Sequence, residues 1–164
     1  MTIHPPRLIN HIGLTVTDLN RAIAWYRQVF GFEVIHGPVE SVADGSYYGQ
    51  LSIDIFGLDF KKLRFVHMDT GNGVGLEIFE FIEPRSEQRE NTFEFWKGGF
   101  FHICVTDPNV EELAQRIERH GGKRRSKLWE VYEGSGYYAI YCEDPFGNSI
   151  EIFSHNYELV HGNR

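Results

Sequence analysis

Cysteine is scarce in this chain: Cys104 and Cys142 are the only two in 164 residues. Two thiols cannot build a disulfide framework, and their spacing matches no zinc-knuckle pattern, so both are expected as reduced thiols within strands. Basic charge is also short, with 16 Lys and Arg against 23 Asp and Glu and a formal charge of -7. A phosphate-backbone partner needs a basic face, so nucleic acid is excluded as a partner. The one basic cluster, Lys123 to Lys127 ("KRRSK"), is read as a solvated strand edge, where lysines also block unwanted strand pairing. Long apolar runs are missing too, so no membrane partner is expected. The opening "MTIHPPRLIN" lacks the basic start, apolar core and small-residue site of a secretory signal, and a cytoplasmic location is the expectation. With no low-complexity run and 41% hydrophobic residues, the chain reads as one soluble domain, residues 1–164, with an ordinary core.

What is present is a repeat. "INHIGLTVTDLNRAIAWY" at 9–26 and "GGFFHICVTDPNVEELAQRI" at 98–117 each carry a His in a short apolar strand pattern, then Val-Thr-Asp, then an Asn two residues on. Superposing Asp18 on Asp107 brings Asn20 onto Asn109, and a helical pattern follows in both copies. Its buried positions are expected at Ile23, Tyr26 and Phe30 in the first copy and at Val110, Leu113, Ala114 and Ile117 in the second. Asp18 and Asp107, or the Thr before each, are the N-cap candidates, and helices are expected to start near 19 and 108. Each stops at glycine, in "FGFEV" and "HGGKR", as a left-handed C-cap requires. Strand-like runs follow at 32–42, 61–68 and 73–82, and again at 123–132, 136–143 and 149–154. The chain is therefore α+β, two β-α-β-β-β modules at 8–82 and 98–154 joined by a polar linker at 83–97. The first module holds an extra loop, "ADGSYYGQLSIDIFGLDF", expected to be an ordered insertion. The tail after 154 is expected to be peripheral.

Alternate residues of a strand face opposite sides, so parity sorts the side chains. His11 shares a face with Gly13 and Thr15, away from Ile12, Leu14 and Val16; His102 shares one with Cys104 and Thr106, away from Phe101, Ile103 and Val105. In "GVGLEIFEF" Glu77 lies with Gly75, Phe79 and Phe81, opposite Leu76 and Ile78; in "NSIEIF" Glu151 lies with Ser149 and Phe153, opposite Ile150 and Ile152. Each module thus offers one His and one Glu. A mid-strand carboxylate on a largely apolar surface is costly unless it is paired or bound to a metal. Two imidazoles and two carboxylates form a suitable ligand set for a borderline divalent ion, and the carboxylates offset its charge. Glu80 has the parity of Leu76 and Ile78 and is expected at a solvated rim. His36, His67, His120 and His155 have no repeat-related histidine.

These motifs, "HIGLTVTDLNRAIAWYRQVFGFEV", "GLEIFEF", "FHICVTD" and "YCEDPFGNSIEIF", resemble the vicinal oxygen chelate superfamily, which includes glyoxalase I, methylmalonyl-CoA epimerase, extradiol dioxygenases and antibiotic-resistance proteins. The resemblance runs over roughly residues 8–154 and implies an eight-stranded mixed sheet curled around a metal cleft. It implies that His11, Glu77, His102 and Glu151 hold one divalent ion, nickel, cobalt, zinc, manganese or iron(II). In glyoxalase I such an ion stabilises the enediolate formed when a proton beside a carbonyl is removed. The resemblance makes Glu151 the base and Glu77 the assisting ligand, and so a metal-dependent lyase or isomerase acting on a small molecule, in a homodimer. Where glyoxalase I has an Arg and an Asn touching glutathione, this chain has Thr15 and Phe81. Thr15, Phe79, Phe81, Cys104, Tyr141 and Phe153 are the candidate substrate contacts. Two other activities occur in the superfamily. A ring-cleaving dioxygenase would use His11, His102 and Glu151, with Tyr141 ten residues before the Glu. A drug-sequestering protein would use an aromatic cleft of Phe79, Phe81, Phe153, Tyr137 and Trp129.

Overall fold

The computed structural model describes residues 4–90 and 93–162, and the chain divides after Glu87 into two units. The first unit runs β1 (His11–Thr15), α1 (Leu19–Phe30), β2 (Glu33–Val42), α2 (Tyr47–Phe56), β3 (Lys62–Asp69) and β4 (Gly75–Glu83). The second runs β5 (His102–Thr106), α3 (Val110–Arg119), β6 (Lys123–Arg124), β7 (Trp129–Glu130), β8 (Tyr138–Glu143), β9 (Ser149–Phe153) and α4 (Tyr157–His161). The fold is α+β, with one mixed sheet in each unit. The four-stranded sheet has the order β1-β4-β3-β2; the five-stranded sheet has the order β5-β9-β8-β6, with β7 also on β8. In each, the first strand runs parallel to the last, which pairs antiparallel with the strand before it.

The repeat therefore recurs in topology, but with nine strands among the described residues instead of eight. The run 123–132 is broken into β6 and β7 along one edge of β8. Its cause is local: Arg125 and Ser126 both donate their N–H to the Tyr141 carbonyl, while the Ser126 hydroxyl accepts the Tyr141 N–H. A side-chain oxygen has replaced a ladder carbonyl, and the pairing cannot continue through it.

Asp18 caps α1, its carboxylate accepting the Arg21 N–H at 2.9 Å, and Gly31 closes the helix with φ 72°. The buried stripe of α1 is Leu19, Ala22, Trp25, Tyr26 and Val29. This corrects the expected stripe, because Ile23 and Phe30 are only half-buried at its flanks. Helix α3 buries Val110, Leu113, Ala114 and Ile117 as its periodicity predicts. It begins at Val110, two residues later than expected, because Asp107 first takes the Asn109 N–H at 2.7 Å in a turn.

Three further expectations change. The insertion is ordered, but as helix α2, docked on the end of β2 through a buried hydrogen bond of 2.8 Å between Ser41 and Ser52. Glu80 is not at a solvated rim; its carboxylate accepts the Leu19 N–H and pairs with Arg64, both at 3.3 Å, and so ties the start of α1 to the sheet. The tail is not peripheral either. Val160 of α4 is fully buried, and His161 meets the Tyr132 hydroxyl at 2.7 Å and the Phe153 ring at 5.7 Å. Within "KRRSK", only Lys123 reads as an open strand edge: Arg124 pairs with Glu111, Arg125 pairs with the buried Glu143, and Lys127 lies over Trp129. No described helix is long and apolar enough to cross a membrane.

Candidate metal centre

One face of the first sheet gathers the chemistry of the first unit. Gly13 lies beside Glu77 across β1 and β4, His67 lies opposite Glu77 across β3 and β4, and Phe65 lies opposite Phe79. Leu76 and Ile78 turn to the other side and are buried. His11 Nε2 stands 3.4 Å from Glu77 Oε2. Its other ring nitrogen, Nδ1, is 2.8 Å from Asn10 Oδ1. An amide oxygen can only accept, so Nδ1 donates to Asn10 and Nε2 is the ring nitrogen turned to Glu77. A cation between Nε2 and the carboxylate would be bound by both, whereas a proton on Nε2 would let the two pair directly.

The second unit repeats the pair. His102 Nε2 stands 3.2 Å from Glu151 Oε2. Two donors bonded at about 2.1 Å to one ion, at angles of about 90–110°, stand about 3.0–3.4 Å apart. Both His–Glu separations therefore fit donors that share an ion. The His102 Nδ1 is buried and has no hydrogen-bond partner among the described residues, so the tautomer lock seen at His11 is not repeated. Among the described residues no group of three or more His, Cys, Asp and Glu stands close enough to hold a metal by itself. Each unit supplies a pair.

The neighbours of the two carboxylates differ. Cys104 stands beside Glu151 where Gly13 stands beside Glu77, and Tyr141 stands opposite Glu151 where His67 stands opposite Glu77. Desolvation of its sulfur, and then the charge of Glu151, raise the Cys104 thiol above its ordinary value, although the residue as a whole remains exposed. Burial, and then a hydrogen bond to Glu151, raise the Tyr141 phenol well above its ordinary value. Both groups are protonated at neutral pH and able to donate to the carboxylate.

The other candidates separate clearly. Phe79 and Phe81 stack in a row with Phe65, centroids 6.0 and 6.2 Å apart, and Phe56 of α2 meets Phe81 edge-on at 5.1 Å. The insertion thus packs over the apolar end of the Glu77 face. Thr15, across from Phe79, is exposed. Phe153 is nearly fully buried under His161 and presents little open surface. The Tyr141 ring packs with His102 and Phe93, at 5.4 and 6.1 Å. His67 and Asn10 were not singled out by parity or by the repeat. His67 would have been found by extending the parity argument to β3, where it shares a face with Leu63 and Phe65. Asn10 carries no such signal, because a side chain bonding to its own neighbour follows no strand periodicity.

The family model for the Glyoxalase/Bleomycin resistance protein/Dioxygenase superfamily matches residues 8–152. Among curated relatives, a 2-epi-5-epi-valiolone epimerase of Actinomyces is 23% identical over 149 residues, covering 89% of this chain and 78% of that one. A lactoylglutathione lyase of Pseudomonas putida is 24% identical over 153 residues, covering 88% and 83%. Among solved structures, a glyoxalase family protein from Bacillus cereus superposes with a TM-score of 0.72 at 18% identity, covering 93% of this chain and 97% of that one.

Proposed function

The chain belongs to the Glyoxalase/Bleomycin resistance protein/Dioxygenase superfamily, and on that premise we propose that it is a divalent-metal-dependent lyase or isomerase that moves a proton beside a carbonyl of a small-molecule substrate. In this reading His11, Glu77, His102 and Glu151 complete one ligand set, a pair from each module. The observation that carries it is the repeated pairing of a histidine Nε2 with a strand carboxylate, His11 with Glu77 at 3.4 Å and His102 with Glu151 at 3.2 Å. When bound, the ion supplies Lewis-acid stabilisation of charge developing on neighbouring substrate oxygens. Glu151 takes the proton from the carbon beside the carbonyl and returns it. Tyr141 and Cys104, both protonated, hold Glu151 by donating to it, and Glu77 stays in place as the second carboxylate. Phe79 and Phe81 receive an apolar part of the substrate, and Thr15 lines the same face.

An epimerase and a lyase among the relatives support proton transfer as the common step. The test is a panel of 2-oxo thioesters, CoA thioesters, hemithioacetals and 2-epi-5-epi-valiolone incubated in deuterated water with the metal-loaded protein. Deuterium should enter beside the carbonyl of one class. Glu151→Gln should abolish that exchange, a loss of at least about 10²-fold, while retaining much of the metal. A second reading rests on Tyr141: a phenol directly opposite Glu151 also suits a ring-cleaving dioxygenase with His11, His102 and Glu151 as its ligands. Oxygen uptake with a catechol by the iron(II) protein, with no exchange into any carbonyl compound, would establish that reading instead.

We infer a homodimer as the assembly, since two modules that each hold half a ligand set can pair across copies of the chain as well as within one. Sedimentation at micromolar concentration should give a dimer, and a monomer would remove this part of the proposal.

A further inference from the structure

We propose that His67 is a positioning residue for Glu77, holding one carboxylate oxygen so that the other faces His11. The inference rests on the metal reading above and adds to it a residue that the ligand pattern does not contain. Glu77 lies between two imidazoles: His11 Nε2 is 3.4 Å from Oε2, and His67 Nδ1 is 3.5 Å from Oε1. The two contacts divide the carboxylate, one oxygen to each ring. His67 sits directly opposite Glu77 in the antiparallel ladder of β3 and β4, where side chains of one face are closest. Its ring is braced by Phe65, edge-on at 5.3 Å, and by His36 at 5.7 Å. A braced ring on a strand fixes a direction for Oε1.

The second module supplies an independent observation. The position opposite Glu151 is Tyr141, whose ring packs against His102, the histidine paired with that carboxylate, at 5.4 Å. Two modules with few identical residues thus place a polar side chain of different chemistry at the same register position, each time against the ligand carboxylate. His67 has no repeat-related histidine because its counterpart is a tyrosine. A carboxylate whose second oxygen is held loses less rotational freedom when the first engages an ion, which is how neighbours of a ligand raise metal affinity.

The experiment titrates cobalt(II) into metal-free protein, following its visible absorption, for the wild type, His67→Phe, His67→Asn and His11→Ala. Phenylalanine keeps the ring and its contacts and removes only the nitrogens; asparagine restores a donor nitrogen at the δ position. His67→Phe should weaken cobalt(II) binding by about 10–100-fold, and His67→Asn should recover most of the loss, with the metal-free thermal midpoints of both close to wild type. Unchanged affinity in His67→Phe, an equal loss in His67→Asn, or a loss that tracks a lowered metal-free midpoint would each overturn the positioning role. Wild-type affinity in His11→Ala would instead overturn the metal reading, and with it this one.

Discussion

Glu77 and Glu151 are mid-strand carboxylates on faces that also carry glycine, histidine, cysteine, hydroxyl and aromatic residues, and their neighbours explain why both are tolerated. Imidazoles flank Glu77; an imidazole, a phenol and a thiol flank Glu151. The other thiol is sealed in the core. Cys142 is fully buried on β8, and burial pushes it from 9.0 up to about 12. Its folded state keeps a proton that the unfolded chain loses above pH 9.0, so its contribution to stability is complete below that pH and falls away as the pH rises towards 12. At pH 8 it therefore carries less thiolate than an ordinary thiol. Iodoacetamide labelling of Cys142 at that pH should be far slower than in the unfolded chain, because its sulfur is both shielded and protonated; labelling at the unfolded rate would show that the site opens freely. The pairs His11–Glu77 and His102–Glu151 were legible in the sequence because strand parity and the repeat singled out the same four residues. His67 was not, because a search for repeated residue types cannot see a histidine whose counterpart is a tyrosine.

At the scale of the element, the informative case is the insertion. Its glycines and aromatics marked it as ordered, but a helix was not legible: Tyr47, Tyr48, Leu51, Ile55 and Phe56 are large apolar residues that remain substantially exposed, so no clean amphipathic stripe stands out. What seats α2 is close approach. A Cβ on Gly49 would lie 2.6 Å from the Val42 carbonyl and 2.7 Å from the Asp44 amide, both backbone atoms that cannot swing aside. Gly49→Ala should therefore push the helix off β2, strain the Ser41–Ser52 hydrogen bond and cost about 1–3 kcal/mol. Chemical denaturation checks the cost, and a stability equal to wild type would mean that α2 can shift without penalty. Since Phe56 of α2 packs on Phe79 and Phe81, the same variant should alter the apolar end of the Glu77 face while leaving the His11–Glu77 pair in place. The break between β6 and β7 was hidden for a related reason. One serine hydroxyl substituting for a ladder carbonyl leaves no trace in the hydrophobic pattern.

For the whole molecule, the β-α-β-β-β repeat was readable from one superposition, Asp18 on Asp107, because both copies keep the same strand, turn and helix order over the residues that set the core. In both units the first strand runs parallel to the last, as a repeat requires. The reaction was far less readable, since the residues beside and opposite the two carboxylates differ: Gly13 against Cys104, His67 against Tyr141. The central claim is that two half-sites hold one ion, and the metal content of protein purified without chelator tests it most directly. The account predicts one divalent ion per chain in the wild type and loss of nearly all of it in His11→Ala and in His102→Ala alike, because either change breaks the same ligand set. Full metal content in either variant, or a loss of only half in each, would contradict it.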